Sequence, residues 1–290
     1  MHHKSVSSFS SSDSWIILSA MEERIRLKIE TTGTLLRDWG ININYGVKTG
    51  LNEAFILSGD KKEEIIAADP KSAEIIRPIL RGRDIKRYEY TFADLWLITT
   101  FPSKKYDIEN YLGVKNHLLS FGIHKLEQTG AIHIINGEEI KARKRTNNKW
   151  FETQDSISYW DDFSKQRIVY REISDSMDAC LVEPNYFVNN KCYMISGNHL
   201  IFLLSFFNSK LFHKIIFQQT NLTGGKGEAF VSSIRVPIPS NETERLLVNL
   251  YYSRNGASEN ELRKIEYKVD CIICNLYGLS DEETAYILSQ

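Results

Sequence analysis

Tyr186-Phe-Val-Asn-Asn-Lys-Cys-Tyr-Met-Ile195 sets two short apolar runs, Tyr186 to Val188 and Cys192 to Ile195, on either side of Asn189-Asn190. Asparagine tolerates the positive φ that tight hairpin turns require, so this stretch is expected to form a β-hairpin. Further strand-like pieces, rich in β-branched and aromatic residues, lie at Ala54 to Leu57, Leu95 to Phe101 and Arg167 to Ile173. Helical spacing marks Glu22 to Glu30 through Ile25 and Ile29, Tyr106 to Ser120 through Ile108, Tyr111, Leu112 and Leu119, and His199 to Gln218. Strands and helices do not alternate as regular βαβ units. The expected class is therefore α+β, with mixed or antiparallel sheets and packed helices.

Residues 1–20 read as a disordered Ser-rich start, 21–240 as the main domain, and 241–290 as a helical segment with a break near Arg254-Asn-Gly-Ala-Ser258. Ser258 is placed to cap the next helix, with Glu261 at the N3 position of a capping box. The chain has 290 residues, 42% hydrophobic and 25% charged, which excludes a wholly disordered chain, a coiled coil and a collagen-like fibre. Its longest apolar stretch, Leu200 to Leu204 followed by Ser205-Phe206-Phe207, is far shorter than the roughly 20 residues that span a bilayer, and no signal peptide is visible, so a cytoplasmic protein is expected. Four cysteines are too few for a disulfide framework, and Cys271-Ile-Ile-Cys274 is expected to be buried in a helix rather than to hold a metal.

The net charge of −1 conceals an asymmetry, since residues 241–290 carry five Lys/Arg against nine Asp/Glu, or −4, leaving +3 on the first 240. Positive charge clusters in Arg77 to Tyr88 (RPILRGRDIKRY) and in Lys141 to Lys149 (KARKRTNNK), each with five basic residues. Such blocks are solvated faces or contacts to anions and nucleic acid. Between the glycines of Gly46-Val-Lys-Thr-Gly50 lie Lys48 and Thr49, followed by Asn52, in a loop suited to close approach. Trp150 stands beside Lys149, where an exposed ring would serve stacking and a buried one the core. Thr223-Gly-Gly-Lys-Gly227 departs from the P-loop pattern, but its glycines and Lys226 would suit a phosphate. Glu139-Ile-Lys141 matches half of a common Mg2+-dependent nuclease signature, without a Pro-Asp partner before it. The seven histidines are scattered, and no His-based metal site stands out.

Several blocks, in order, resemble the TaqI-like C-terminal specificity domain of N6-adenine DNA methyltransferases and fused type IIG restriction-modification enzymes. They are Gly46 to Phe55 (GVKTGLNEAF), Ile76 to Tyr88 (IRPILRGRDIKRY), Tyr111 to Leu119 (YLGVKNHLL), Trp150, Lys165 to Tyr170 (KQRIVY), Leu204 to Leu211 (LSFFNSKL) and Val236-Pro-Ile-Pro239, with Tyr277 to Glu283 (YGLSDEE) beyond. The resemblance implies a module that docks on double-stranded DNA, reads a short sequence and presents an adenine to a separate N6-adenine methyltransferase catalytic domain. The chain itself has no Asn-Pro-Pro-aromatic tetrapeptide and no glycine-rich cofactor turn. S-adenosylmethionine is thus expected only in the catalytic domain, and this chain is not expected to be an enzyme on its own, whether it is a fragment or a free-standing subunit. Lys48, Thr49 and Asn52 would line one contact loop. Arg81, Arg83, Lys86 and Arg87 would engage phosphates or guanine edges, with Asp84 orienting Arg83 or Arg87. Arg143, Lys144 and Arg145 would form a second clamp, with Trp150 and Lys226 also at the DNA. The alternative is a Mg2+-dependent nuclease built on Glu139 and Lys141. A third reading gives the acidic helices of 241–290 a role in binding a methyltransferase subunit.

Overall fold

A computed structural model describes residues 19–172, 176–217 and 227–289. Most of the Ser-rich start, Ile173 and Lys226 lie outside these. The fold is α+β. Its strands are β1 (Thr34–Leu35), β2 (Asn42–Tyr45), β3 (Ile56–Ser58), β4 (Ile76–Leu80), β5 (Leu95–Ile98), β6 (Ile132–Ile135), β7 (Glu138–Lys141), β8 (Arg167–Arg171), β9 (Ala179–Val182), β10 (Phe187–Val188), β11 (Cys192–Ser196) and β12 (Arg235–Val236). Two four-stranded sheets dominate, in the orders β2-β11-β8-β9 and β10-β4-β5-β3, and β1-β12 and β6-β7 form two-stranded ribbons. Among the described residues, these strand pairs are antiparallel except β10 with β4.

Side chains alternate across a strand, and in the β2-β11-β8-β9 sheet β8, β9 and β11 are buried on both faces, so their central residues are apolar on both, whereas the edge strand β2 is partly exposed. Ile168, Tyr170, Ala179, Leu181 and Ile195 enter one core, which is filled from the other side by Phe202, Phe206, Phe207 and Phe212. Their neighbours Val169, Cys180, Val182, Cys192 and Met194 enter a second core, with Phe55, Leu97, Ile98 and Phe187. One sheet is thus the wall between two cores.

The segment Tyr186 to Ile195 turns where expected but is not a hairpin. Val188 pairs with Leu80, and Asn189 N–H donates to the Leu80 carbonyl at 3.0 Å, whereas β11 pairs with β2 and β8. The turn at Asn189 to Lys191 therefore passes the chain from one sheet to the other, and neither asparagine takes a positive φ. Two further expectations change. Asn52–Phe55 is a helical turn that precedes β3, and Tyr111 interrupts the Tyr106 to Ser120 helix, which runs only over Leu112–Leu119. The restart shifts the buried face to Val114 and Leu118, leaving Leu112 and Leu119 exposed.

Helices Asn241–Tyr252, Glu259–Leu276 and Asp281–Leu288 pack on the first core through Leu247, Ile265, Val269, Ile273 and Ile287. Ser258 and Glu261 form the capping box, and the two cysteines of the CxxC spacing sit in the same helix, where burial pushes the Cys274 thiol up to about 12. Asp270, 2% exposed, accepts the Lys210 N–H at 2.8 Å. Burial raises its carboxyl from 3.8 to about 6, against the pull of that bond, Arg87 and Lys210. The native state therefore keeps a proton that the unfolded chain releases. The stability this group contributes is complete below a pH of about 4 and lost as the pH rises through about 6. Denaturant titrations across that window should show the slope, and Asp270→Asn should remove it and make the protein roughly 1 to 2 kcal/mol more stable at neutral pH. Among the described residues, no helix is long and apolar enough to cross a membrane.

Candidate nucleic-acid interface

The loop Gly46 to Leu51 and the segment 141–155 are far apart in sequence and in contact in the fold. Gln154 N–H donates to the carbonyls of Lys48 and Thr49 at 3.2 Å. Arg143 completes the junction, because its guanidinium donates to four backbone carbonyls: Leu126 at 2.8 Å, Thr49 at 3.0 Å, Glu152 at 2.8 Å and Trp150 at 2.6 Å. Its residue exposure is 4%. Burial pushes its pKa down to about 10, opposed by the Glu152 carboxylate, so it stays charged at neutral pH. Arg143 is therefore a buried strut and not a phosphate contact, while its neighbours Lys144 and Arg145 are exposed.

Thr49 is likewise buried, and its hydroxyl donates to Asn52 Oδ1 at 2.7 Å, which fixes the turn rather than a base. Asn52 is exposed and Lys48 half-buried. Trp150 is half-buried against the second core, its ring edge-on to Phe151. A Cβ on Gly46 would lie 2.0 Å from the Asn189 carbonyl oxygen, so only glycine lets this loop lie against the Asn189 to Lys191 turn.

The same turn meets the other basic block. A Cβ on Gly82 would come within 3.3 Å of Lys191, so Gly82 serves an internal approach between two turns. Arg81 is paired with Asp84, to which its Nε and Nη2 donate at 2.9 and 2.8 Å and its backbone N–H at 2.8 Å. Burial pushes the Asp84 carboxyl up, but these bonds hold it below its ordinary value. Asp84 thus orients Arg81, not Arg83 or Arg87. Arg83 and Lys86 are exposed, with Glu89 3.8 Å from Lys86. Arg87 turns inward. It donates to the Asn208 carbonyl at 2.8 Å and pairs with Glu266 at 2.7 Å, so it docks the C-terminal helices instead of facing DNA.

The structure thus brings Lys48, Asn52, Lys144 and Arg145 to one junction, and the Asn189 to Lys191 turn joins it to Arg81 and Arg83. Lys191 was not singled out by sequence reasoning, although a lysine directly after Asn189-Asn190 was its signal. The β6-β7 ribbon beside this region was missed as well. Its Asn136-Gly137 turn has φ of 52° and 85°, the conformation that Asn-Gly favours in a hairpin. Ile134 on this ribbon is 79% exposed.

Glu139 and Lys141 lie on β7, both exposed, with Glu139 opposite Ile134. The His/Cys/Asp/Glu group placed to share an ion among the described residues is His124, Glu127 and His133, which excludes Glu139. Among the described residues Glu139 thus belongs to no group of three such ligands, and the histidines are less scattered in space than in sequence.

The family model of the TaqI-like C-terminal specificity domain matches residues 77–230. A solved structure of the type IIL restriction-modification enzyme MmeI in complex with DNA is similar at a TM-score of 0.53 and 15% identity, over 86% of this chain and 36% of that one. The type IIG restriction endonuclease BpuSI matches at a TM-score of 0.45 and 12% identity, over 91% of this chain and 34% of that one. The chain thus spans about a third of the length of either enzyme. No curated protein matches it.

Proposed function

The chain belongs to the family of TaqI-like C-terminal specificity domains, and on that premise we propose that it recognises a short sequence in double-stranded DNA and positions a target adenine for an N6-adenine methyltransferase catalytic domain. The observation that carries this reading is the buried Arg143 junction, which brings the basic segment 141–149 into contact with the Gly46 to Leu51 loop, distant in sequence. Lys144, Arg145, Lys48 and Lys191 are suited to phosphates, because their ammonium and guanidinium groups need only reach the backbone. Arg83 and Asn52 are suited to base edges, as arginine pairs bidentately with guanine and asparagine with adenine. Lys86 is a further exposed cation of the same basic block. In this reading S-adenosylmethionine belongs to the catalytic domain, and the similarity in fold to MmeI supports a place within a larger restriction-modification assembly.

Binding of labelled duplexes followed by anisotropy over a range of salt tests the phosphate part. The isolated chain is expected to bind weakly, with a negative log-log slope of about 0.9 per phosphate neutralised. A slope of zero removes the clamp from the proposal.

A further inference from the structure

His124 lies in the short helix Ile123–Leu126, Glu127 caps its end, and His133 is the second residue of β6. One donor atom from each of the three lies within 4.8 Å of the others. His124 Nδ1 is 3.8 Å from Glu127 Oε1, and His133 Nε2 is 3.5 Å from Glu127 Oε2. These separations are long for N–H···O bonds, which run to about 3.2 Å. Both ring nitrogens are buried and make no hydrogen bond among the described residues. The rings lie 4.4 Å apart between centroids.

Two buried imidazole nitrogens without hydrogen bonds would each cost about 1 to 3 kcal/mol. A cation removes that cost, because both nitrogens lie beside the same carboxylate. Zinc bonds of about 2.0 to 2.2 Å to nitrogen and oxygen put tetrahedral ligand atoms roughly 3.4 Å apart, close to the two separations seen here. Two imidazoles and one carboxylate suit zinc, cobalt and nickel, whereas magnesium and calcium prefer oxygen donors.

We infer that His124, Glu127 and His133 bind one zinc-class divalent ion, with water completing the shell, and that this ion fastens the β6-β7 ribbon to the Ile123–Leu126 helix. The Glu127 carbonyl accepts the Arg143 N–H at 2.9 Å and the Leu126 carbonyl accepts Arg143 Nε, so the ion would also brace the buried arginine. This inference does not depend on the chain binding DNA.

The whole chain, stripped with chelator and titrated with Co2+, gives a direct readout. Visible d–d bands of a tetrahedral site are expected without a thiolate charge-transfer band, which separates this site from Cys271 and Cys274. Zn2+ should displace the cobalt and raise the thermal midpoint. The double variant His124→Ala/His133→Ala should lose the bands, and Glu127→Gln, which keeps the shape of the side chain, should weaken cobalt binding by at least about tenfold. Absence of the bands in the wild-type protein overturns the inference. So does undiminished affinity in Glu127→Gln, a result that stands even if the double variant fails to fold.

Discussion

Arg143→Ala is expected to destabilise the protein by at least about 3 kcal/mol, because it removes four charge-assisted hydrogen bonds and takes the donor from the Leu126 and Trp150 carbonyls, while Thr49 keeps the Gln154 N–H and Glu152 keeps Gln128 Nε2. In a chain of this size that is a fall in thermal midpoint of roughly 6 to 12 °C. Arg143→Lys should rescue little, since an ammonium cannot reproduce the planar fork that reaches Leu126, Thr49, Glu152 and Trp150 together. The double variant Lys144→Ala/Arg145→Ala should unfold at the wild-type temperature, as both side chains are exposed. Differential scanning calorimetry of the three variants and the wild type decides the matter. Equal midpoints for Arg143→Ala and wild type would return Arg143 to the surface.

The second large effect concerns binding. Lys144→Ala/Arg145→Ala should weaken all duplexes alike and make the salt slope shallower by about 2, the loss of two phosphate contacts. Arg83→Ala should instead cost roughly 1 to 3 kcal/mol on one preferred sequence and relax a single base position. Arg81→Ala is a different experiment from Arg83→Ala, because it removes the partner of Asp84 and acts through the turn. Affinities of each variant for a matched and a mismatched duplex separate the roles. Loss of specificity in the 144/145 variant, with specificity retained in Arg83→Ala, would show that the two blocks are assigned the wrong way round.

What the sequence disclosed was whatever is decided locally. The capping box of Ser258 and Glu261 depends on four consecutive residues and forms as read, and the apolar runs at Leu95 and Arg167 became β5 and β8. The Asn189-Asn190 segment was misread because β10 pairs with β4 and β11 with β2 and β8; β4 and β2 begin more than a hundred residues earlier, and these partners displace the pairing of β10 with β11. The basic block 141–149 looks uniformly solvated, since nothing local announces that carbonyls from four separate positions will gather round one guanidinium. Arg87 is similar, as its fate was settled by Glu266 in the C-terminal helices. The β6-β7 ribbon is the converse case. Asn136-Gly137 is a local signal, but the charged Glu138-Glu139 after it conceals a strand.

The most direct test of sequence recognition is selection from a random duplex pool. Purified chain is incubated with the pool at low salt, and the retained DNA is sequenced through successive rounds. A short motif containing adenine should emerge from wild-type protein, and the same selection with Arg83→Ala should return that motif with one position degenerate. Enrichment of no motif, with binding retained, would contradict the assignment of this chain as a DNA specificity domain that reads sequence on its own.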